Sequence, residues 1–298
     1  MEIPTLTDTE TNLRNCLLLK SDDLFFTLAE PFGEVVRDSF LGLKVTGLAD
    51  EELSDEEIAS IDLRRFAIAE RVRLLHAMLE GRFLSLTIAN RPDVEFARND
   101  ALHFLEHFLS TLPDVALGGV DMTSAAYGEV RKIYNLAFAW LNLIEAVEAS
   151  FFGETESTLA VTDLALLSGL EVRTLRNRCG PDKIIRTSAT RTSQDRGSAS
   201  PAFVSLHTLD AVDWLKSRKD FEISPIEPHW ILLQISGGRP ENITRGLLIA
   251  SIINLGPLDE LVSILGFTSE EARNRFDIGE ALPAEIIEAL LKRLGAKK

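Results

Sequence analysis

A short segment near the middle of the chain concentrates side chains that can read the bases of a nucleic acid. Arg173, Arg176 and Asn177 recur there at one- and three-residue spacings. Arginine donates two parallel hydrogen bonds to guanine, and asparagine pairs in a similar way with adenine. These three residues are our candidates for contact with base edges. Thr174 and Arg178 complete the set that we expect to face outward.

Further cations follow this segment and have the chemistry of phosphate contacts, which add salt-sensitive affinity with little sequence information. They are Lys183, Arg186, Arg191 and Arg196. Residues 171–219 hold ten basic and five acidic side chains, whereas the whole chain has a net charge of −15. A positive patch inside an acidic protein predicts a local electrostatic footprint, and double-stranded DNA is the expected partner.

Two short helices joined by a tight turn are predicted to position these side chains. Leu164 and Leu167 are spaced to face inward, and Ala165 is small where a second helix must approach closely. Gly169 follows Ala165 by four residues, and glycine readily takes the left-handed conformation that ends a helix. Thr162 is the predicted cap of the first helix. The apolar residues expected to anchor the second helix are Leu170, Val172 and Leu175.

The segment Asp163-Leu-Ala-Leu-Leu-Ser-Gly-Leu-Glu-Val-Arg-Thr-Leu-Arg176 resembles the DNA-binding helix-turn-helix of MerR-type regulators and of phage excisionase-like winged helices. The resemblance extends over residues 158–219 or thereabouts. It implies wing strands at Lys183–Thr187 and Ala202–Leu206, braced by a helix over Leu209–Leu215 that carries Trp214 in the core. It also implies that the second helix reads the major groove while the wing contacts phosphates.

The carboxyl-terminal stretch, from about 243 to 295, is similar to the Xre/Cro-type helical domain. The similarity lies in the order helix, Leu265-Gly-Phe267 turn, helix, Gly279-Glu-Ala-Leu-Pro283 loop, helix. Two roles stay open for this stretch. One is a helical interaction domain that supports dimerisation, and the other is a second DNA contact through Arg273, Asn274 and Arg275.

We expect a mainly α-helical protein of three domains. Residues 1–153 are predicted to form an acidic all-helical domain for oligomerisation or partner binding. Residues 154–221 are predicted to form the winged helix-turn-helix with its small β-wing, and residues 222–298 a C-terminal helical domain. Within the first domain, Ser54 and Glu57 have the spacing of a capping box. An apolar stripe at helical spacing follows, formed by Ile68, Val72, Leu75 and Leu79.

The predicted function is sequence-specific binding of double-stranded DNA by a bacterial or phage-type transcriptional regulator. We expect a homodimer on paired half-sites, with no enzymatic activity and no cofactor. The alternative is a non-enzymatic adaptor that uses the same helical domains, with solvated arginines, to contact another protein. The positive charge of residues 171–219 and the central resemblance favour DNA over such a partner.

A metal-dependent hydrolase is the least favoured interpretation. His103-Phe-Leu-Glu-His107 matches the His-x-x-Glu-His pattern of one class of zinc peptidases. Two histidines four residues apart on a helix can share a metal, but the sequence identifies no third ligand. We therefore predict no metal site and interpret both histidines as part of the polar face of an amphipathic helix.

The two cysteines, Cys16 and Cys179, are too few for a disulfide framework, which favours a reducing compartment. The first residues, MEIPTLTDTETN, lack the basic and apolar regions of a signal peptide. The sequence has no run of about 18 apolar residues. The expectation is a cytoplasmic protein without a membrane partner.

Overall fold

The chain is mainly helical. A computed structural model describes residues 2–27, 32–43, 53–80, 92–112, 128–152, 159–188, 205–218 and 283–293, with single positions at 251, 263, 266, 268 and 271. The chain divides into two units that are each discontinuous in sequence. The first comprises Ile3–His76 and Arg98–Asn135, and the second Met1–Glu2, Ala77–Ala97 and Leu136–Lys298. The domain boundaries predicted near residues 153 and 221 fall outside the described residues.

The first unit is built from helices. They are α1 (Leu6–Thr27), α2 (Phe32–Leu41), α3 (Asp55–Ser60), a 3-10 turn (Leu63–Arg65), α4 (Ala67–Leu79), α5 (Pro92–Ser110) and α6 (Gly128–Phe152). The last three helices continue past the limits of this unit, since α4 ends, α5 begins and α6 ends in the second one.

Local chemistry fixes the start of α3. The Ser54 hydroxyl accepts a hydrogen bond from the Glu57 N–H at 3.3 Å, and the Glu57 carboxylate accepts one from the Ser54 N–H at 2.9 Å. The predicted capping box is confirmed. Because it satisfies two backbone donors at the helix end, it stabilises a helix of only six residues.

Leucine and isoleucine side chains from four helices form the core of the first unit. The fully buried residues include Leu13 and Leu17 of α1, Leu75 of α4, Leu105 of α5 and Ile133 of α6. The apolar stripe predicted for α4 is confirmed, because all of its members are buried: Ile68, Val72, Leu75 and Leu79. Helical spacing thus identified the face of α4 that packs inward.

The described part of the second unit contains the short elements of interest. The helices are α7 (Val161–Ser168), α8 (Val172–Arg176), α9 (Thr208–Lys216) and α10 (Ala284–Arg293). Three strands of two residues each, β1 (Leu159–Ala160), β2 (Thr187–Ser188) and β3 (Ser205–Leu206), form an antiparallel sheet with β3 in the centre. Leu206 pairs with Leu159 on one side and with Thr187 on the other.

The first predicted wing strand and the predicted cap of α7 need correction, and the second wing strand is described only in part. The first predicted wing strand, Lys183–Thr187, is a strand only from Thr187 onward, because the Lys183 N–H closes a turn on the Gly180 carbonyl at 3.2 Å. The second has its strand at Ser205–Leu206, and residues 202–204 lie outside the described part. The cap of α7 is Ala160 rather than Thr162.

Most of the stretch that resembles an Xre/Cro-type domain, including Arg273, Asn274 and Arg275, lies outside the described residues. At its described positions, the Glu271 carboxylate accepts a hydrogen bond from the Thr268 N–H at 2.6 Å. The Thr268 hydroxyl accepts one from the Glu271 N–H at 3.3 Å. This reciprocal pair has the chemistry of a capping box at a helix start.

Within the part of the chain that the structure describes, no helix combines the length and apolar character needed to cross a membrane.

Candidate nucleic-acid interface

The outer face of α8 and the residues just after it present polar side chains to solvent. Leu175 is fully buried and fixes the inner face of this five-residue helix. A helix this short is stable only through packing, so the burial of Leu175 sets which residues point outward. Those that the sequence placed outward are all exposed: Arg173, Thr174, Arg176, Asn177 and Arg178.

The turn between α7 and α8 fixes the position of this face. Gly169 ends α7 in the left-handed conformation, with φ 66° and ψ 21°, as predicted. The Leu170 N–H donates to the Ala165 carbonyl at 3.1 Å, and the Gly169 N–H to the Leu166 carbonyl at 3.2 Å. These bonds satisfy carbonyl groups at the end of α7. The chain therefore turns within three residues and starts α8 at Val172.

A buried carboxylate joins α7 to the long helix α6. The Asp163 carboxylate accepts a hydrogen bond from the Asn142 side-chain amide at 3.0 Å and is also bonded to the backbone of Ala160. Burial raises the pKa of Asp163, while these two hydrogen bonds act in the opposite direction. Sequence reasoning missed this contact, since Asn142 precedes Asp163 by 21 residues and no local spacing relates them.

The loop after α8 folds back against the end of that helix. The Ile185 N–H donates to the Arg178 carbonyl at 3.4 Å, and the Gly180 N–H donates to the Ile185 carbonyl at 3.0 Å. Ile185 is fully buried. Lys183, predicted to contact phosphate, is exposed in this loop, which directly follows the α8 arginines in the chain.

Arg186 is paired with an acidic residue of α9. Its Nε and Nη2 atoms donate to the Asp210 carboxylate at 2.6 and 2.8 Å. This contact raises the pKa of Arg186 and lowers the pKa of Asp210, so both groups are charged at neutral pH. The Arg186 side chain remains 58% exposed. A phosphate contact by Arg186 would have to share the guanidinium with Asp210, which the sequence did not indicate.

A tryptophan of α9 lies beneath the end of the α8 segment. Trp214 is buried, as the resemblance implied, and its ring faces two guanidinium groups. The Arg178 Cζ atom lies 6.0 Å from the ring centroid, and the Arg218 Cζ atom lies 5.2 Å from it. Such cation–π contacts help to orient the arginine side chains. Arg178 is thereby tied to α9 as well as exposed to solvent.

The remaining predicted phosphate contacts, Arg191 and Arg196, lie outside the described residues. The outward face of α8, the exposed Lys183 and the partly exposed Arg186 thus belong to one continuous stretch of chain, whose loop folds back on Arg178. Residues 171–188 carry five basic and two acidic side chains. This stretch, called the basic segment below, combines exposed hydrogen-bond donors with positive charge, which is the chemistry that base edges and phosphates require.

The histidines of α5 show no comparable arrangement. His103 and His107 are both exposed. Among the residues with assigned positions, no three His, Cys, Asp or Glu side chains form a group able to hold a metal ion. Cys179, within the basic segment, has its thiol pKa raised by burial, which favours the protonated and less reactive form.

Comparison of the chain with protein-family models, with curated proteins and with solved structures finds no match. The function of the basic segment is therefore argued from its own side chains, their exposure and their contacts.

Proposed function

We propose that this protein binds double-stranded DNA in a sequence-specific manner and acts as a transcriptional regulator. The observation that carries the proposal is the division of α8 into two faces. Leu175 is buried in the core, and the polar residues on either side of it, Arg173 to Arg178, are exposed apart from Leu175 itself. A helix fixed from beneath and polar on its outer face can enter the major groove without rearrangement.

In this proposal the residues have distinct tasks. Arg173, Arg176 and Asn177 read base edges, and Thr174 and Arg178 complete the surface that enters the groove. Lys183 and Arg186 contact phosphates, together with Arg191 and Arg196 from the segment that follows β2. We interpret α7, the Gly169 turn, α8 and the strands β2 and β3 as a winged helix-turn-helix, with α9 as its brace. No covalent chemistry is involved, and regulation follows from occlusion or recruitment at the bound site.

The rest of the chain suits the role of assembling the regulator. Residues 1–153 carry 26 acidic and 13 basic side chains, so phosphate groups repel this part of the protein. Its task in the proposal is oligomerisation or contact with a protein partner. A homodimer would place two basic segments on half-sites about 34 Å apart, or a multiple of this distance, along one face of the duplex.

Selection from random-sequence duplex DNA tests the proposal. The full-length chain is incubated with the library at low and at moderate salt, bound duplexes are recovered and sequenced, and gel shift measures their affinity. Enrichment of a common motif, with tighter binding than an unselected duplex of equal length, is the expected result. Absence of enrichment together with absence of a shift at low salt would reject DNA binding, because non-specific electrostatic attraction is strongest there.

A protein-interaction adaptor is the second candidate, and two observations favour it. Asp210 neutralises part of the charge of Arg186, and Leu166 on the outer side of α7 is 38% exposed. A surface that mixes apolar groups with partly neutralised cations is also suited to binding an acidic protein. If the selection yields no motif, this candidate becomes the preferred one.

A further inference from the structure

The loop that follows α8 presents an isoleucine to solvent. The side chain of Ile184 is 69% exposed, a larger fraction than for any other large hydrophobic residue in the described ranges. Its neighbour Ile185 is fully buried. One isoleucine thus anchors the loop while the adjacent one projects from it. Exposed apolar surface has an unfavourable contact with water, so a side chain held in this way can gain free energy by contacting a partner.

Backbone contacts hold Ile184 outward. The chain is fastened immediately after it by the two hydrogen bonds of Ile185, one of which reaches the Arg178 carbonyl just beyond α8. On the other side of Ile184, the hydrogen-bonded turn between Gly180 and Lys183 holds the chain in place. The ring of Pro181 further restricts this turn, and β-branching limits the rotamers of isoleucine. Ile184 is therefore an exposed apolar side chain held in place by the loop that follows α8.

The charges around this projection indicate the chemistry of its partner. Lys183 precedes Ile184, Arg176 ends α8 and Arg178 follows that helix, all three being exposed. Asp182 is the one acidic residue in the loop between Gly180 and Arg186, so cations outnumber acids here. An apolar group with mainly cationic neighbours along the chain is complementary to an apolar group surrounded by anions. In duplex DNA that group is the 5-methyl of thymine, which lies in the major groove between the phosphate backbones.

We infer that Ile184 contacts the 5-methyl group of a thymine in the groove that α8 enters, and so sets specificity for thymine at one position of the site. The inference rests on the proposed function and extends it, since hydrogen-bonding residues alone cannot detect this methyl group. The contact is non-covalent and adds apolar recognition to the arginine and asparagine contacts of α8.

Replacing thymine by deoxyuridine tests the inference, because it removes the 5-methyl group and leaves base pairing intact. The probe is the duplex recovered by the full-length chain from random-sequence DNA, with each thymine replaced in turn. The wild-type chain should lose about fourfold in affinity at one thymine, as expected for one buried methyl group. Ile184→Ala should bind the thymine duplex about three- to tenfold more weakly and should not distinguish the two duplexes.

Two variants serve as controls. Ile184→Val keeps a β-branched apolar side chain and should retain the preference for thymine. Val35→Ala removes an exposed apolar side chain, 46% accessible, from α2 in the other unit and should bind like the wild type. Because Ile184 is exposed, truncating it leaves the core intact, and unfolding in urea should coincide for the variant and the wild type.

The outcomes separate this inference from the proposed function. If a motif is recovered and Ile184→Ala binds as well as the wild type, or loses affinity equally for both duplexes, the thymine contact is rejected while DNA binding stands. If no duplex is recovered at all, the inference fails together with the function on which it rests.

Discussion

Arg173 and Arg176 lie three residues apart on α8, a spacing that brings two side chains onto neighbouring positions of a helix surface. Replacing either by alanine should weaken binding of the selected duplex by about 1–3 kcal/mol, because a bidentate contact with guanine is lost. Specificity should relax at one base position and stay intact elsewhere. Gel shift with single-base variants of the selected duplex measures both effects.

Arg64 provides a matched control for these substitutions. It is an arginine in the first unit, 83% exposed, which pairs with Asp62. Arg64→Ala should leave affinity and specificity for the selected duplex unchanged. Equal losses from Arg64→Ala and Arg173→Ala would mean that the chain attracts DNA by charge alone, and base reading by α8 would then be wrong.

In the proposed complex, Asp210 competes with phosphate for the guanidinium of Arg186, which it already pairs with. Asp210→Asn removes the competing charge and should strengthen binding of all duplexes alike. The slope of log affinity against log salt should become steeper, by less than the value of about 0.9 for one whole phosphate contact, because Arg186 no longer shares its guanidinium. Lys183→Ala should change the slope by a similar amount in the opposite direction. Titrations of one duplex at several salt concentrations measure these slopes.

The Asp210 prediction has a clear contrary result. If Asp210→Asn weakens binding of every duplex, the ion pair serves to hold β2 near α9 and Arg186 makes no phosphate contact. Circular dichroism and urea unfolding of the variant distinguish this structural effect from a direct effect on binding.

At the scale of elements, the Gly169 turn determines the angle between α7 and α8. A methyl group at this position would meet no atom within 4 Å, so backbone conformation alone penalises Gly169→Ala. Gly169→Ala should lower the free energy of unfolding by about 1–2 kcal/mol, because alanine is strained in the left-handed conformation. Gly128→Ala is the matched control, since Gly128 has equal space, no positive φ and a position at the start of α6.

Urea unfolding of both glycine variants checks this prediction. Gly128→Ala should preserve or slightly raise stability, because alanine favours helix and restricts the unfolded chain. A loss from Gly128→Ala as large as that from Gly169→Ala would contradict the explanation by left-handed strain.

The contact between α6 and α7 predicts a dependence of stability on pH. Burial raises the pKa of Asp163, so the folded chain binds this proton more tightly than the unfolded chain does. The resulting stabilisation is present below the ordinary pKa of an aspartate and is lost as pH rises through the raised value. Asp163→Asn keeps an oxygen acceptor for Asn142 and should flatten this dependence, as urea unfolding across that pH range would show.

The elements that sequence reasoning predicted correctly depend on local interactions. The capping box of Ser54 and Glu57 and the left-handed Gly169 each involve atoms within five residues of one another. The buried stripe of α4 follows from helical period alone. Such features could be predicted because the residues that determine them are neighbours in sequence.

The features that could not be predicted depend on distant pairings. The strand before α7 exists because Leu159 pairs with Leu206, and Arg186 is partly neutralised because α9 brings Asp210 to it. No spacing rule connects these positions. The exposure of Arg173 and Arg176 could be predicted from the sequence. The partners of Arg186 and Asp163 could be identified only from the tertiary structure.

At the scale of the whole molecule, charge is divided unevenly along the chain. The net charge of −15 disfavours non-specific attraction to DNA, while residues 171–219 carry a local excess of basic groups. Affinity for unselected DNA should therefore be low at physiological salt. In the proposed function, specific binding then requires two basic segments acting together, which the proposed dimer supplies.

The proposed dimer makes a geometric prediction about the binding site. Half-sites should be separated by about one turn of the duplex, or a multiple, so that both face the protein. Inserting about five base pairs between them should abolish tight binding, and inserting about ten should restore part of it. Gel shift with these duplexes, together with light scattering of the protein in solution, tests the prediction. Equal binding to all spacings would indicate a monomeric reader.

The pairing of Leu159 with Leu206 has a consequence for how this part of the protein can be exchanged. The polypeptide enters and leaves the intervening stretch at adjacent points, much as a loop does at its base. A stretch with adjacent ends can be inserted into a surface turn of an unrelated scaffold without stretching that scaffold. The transferred piece would have to extend through α9, because Asp210 and Trp214 contact Arg186 and Arg178 from beyond the paired ends.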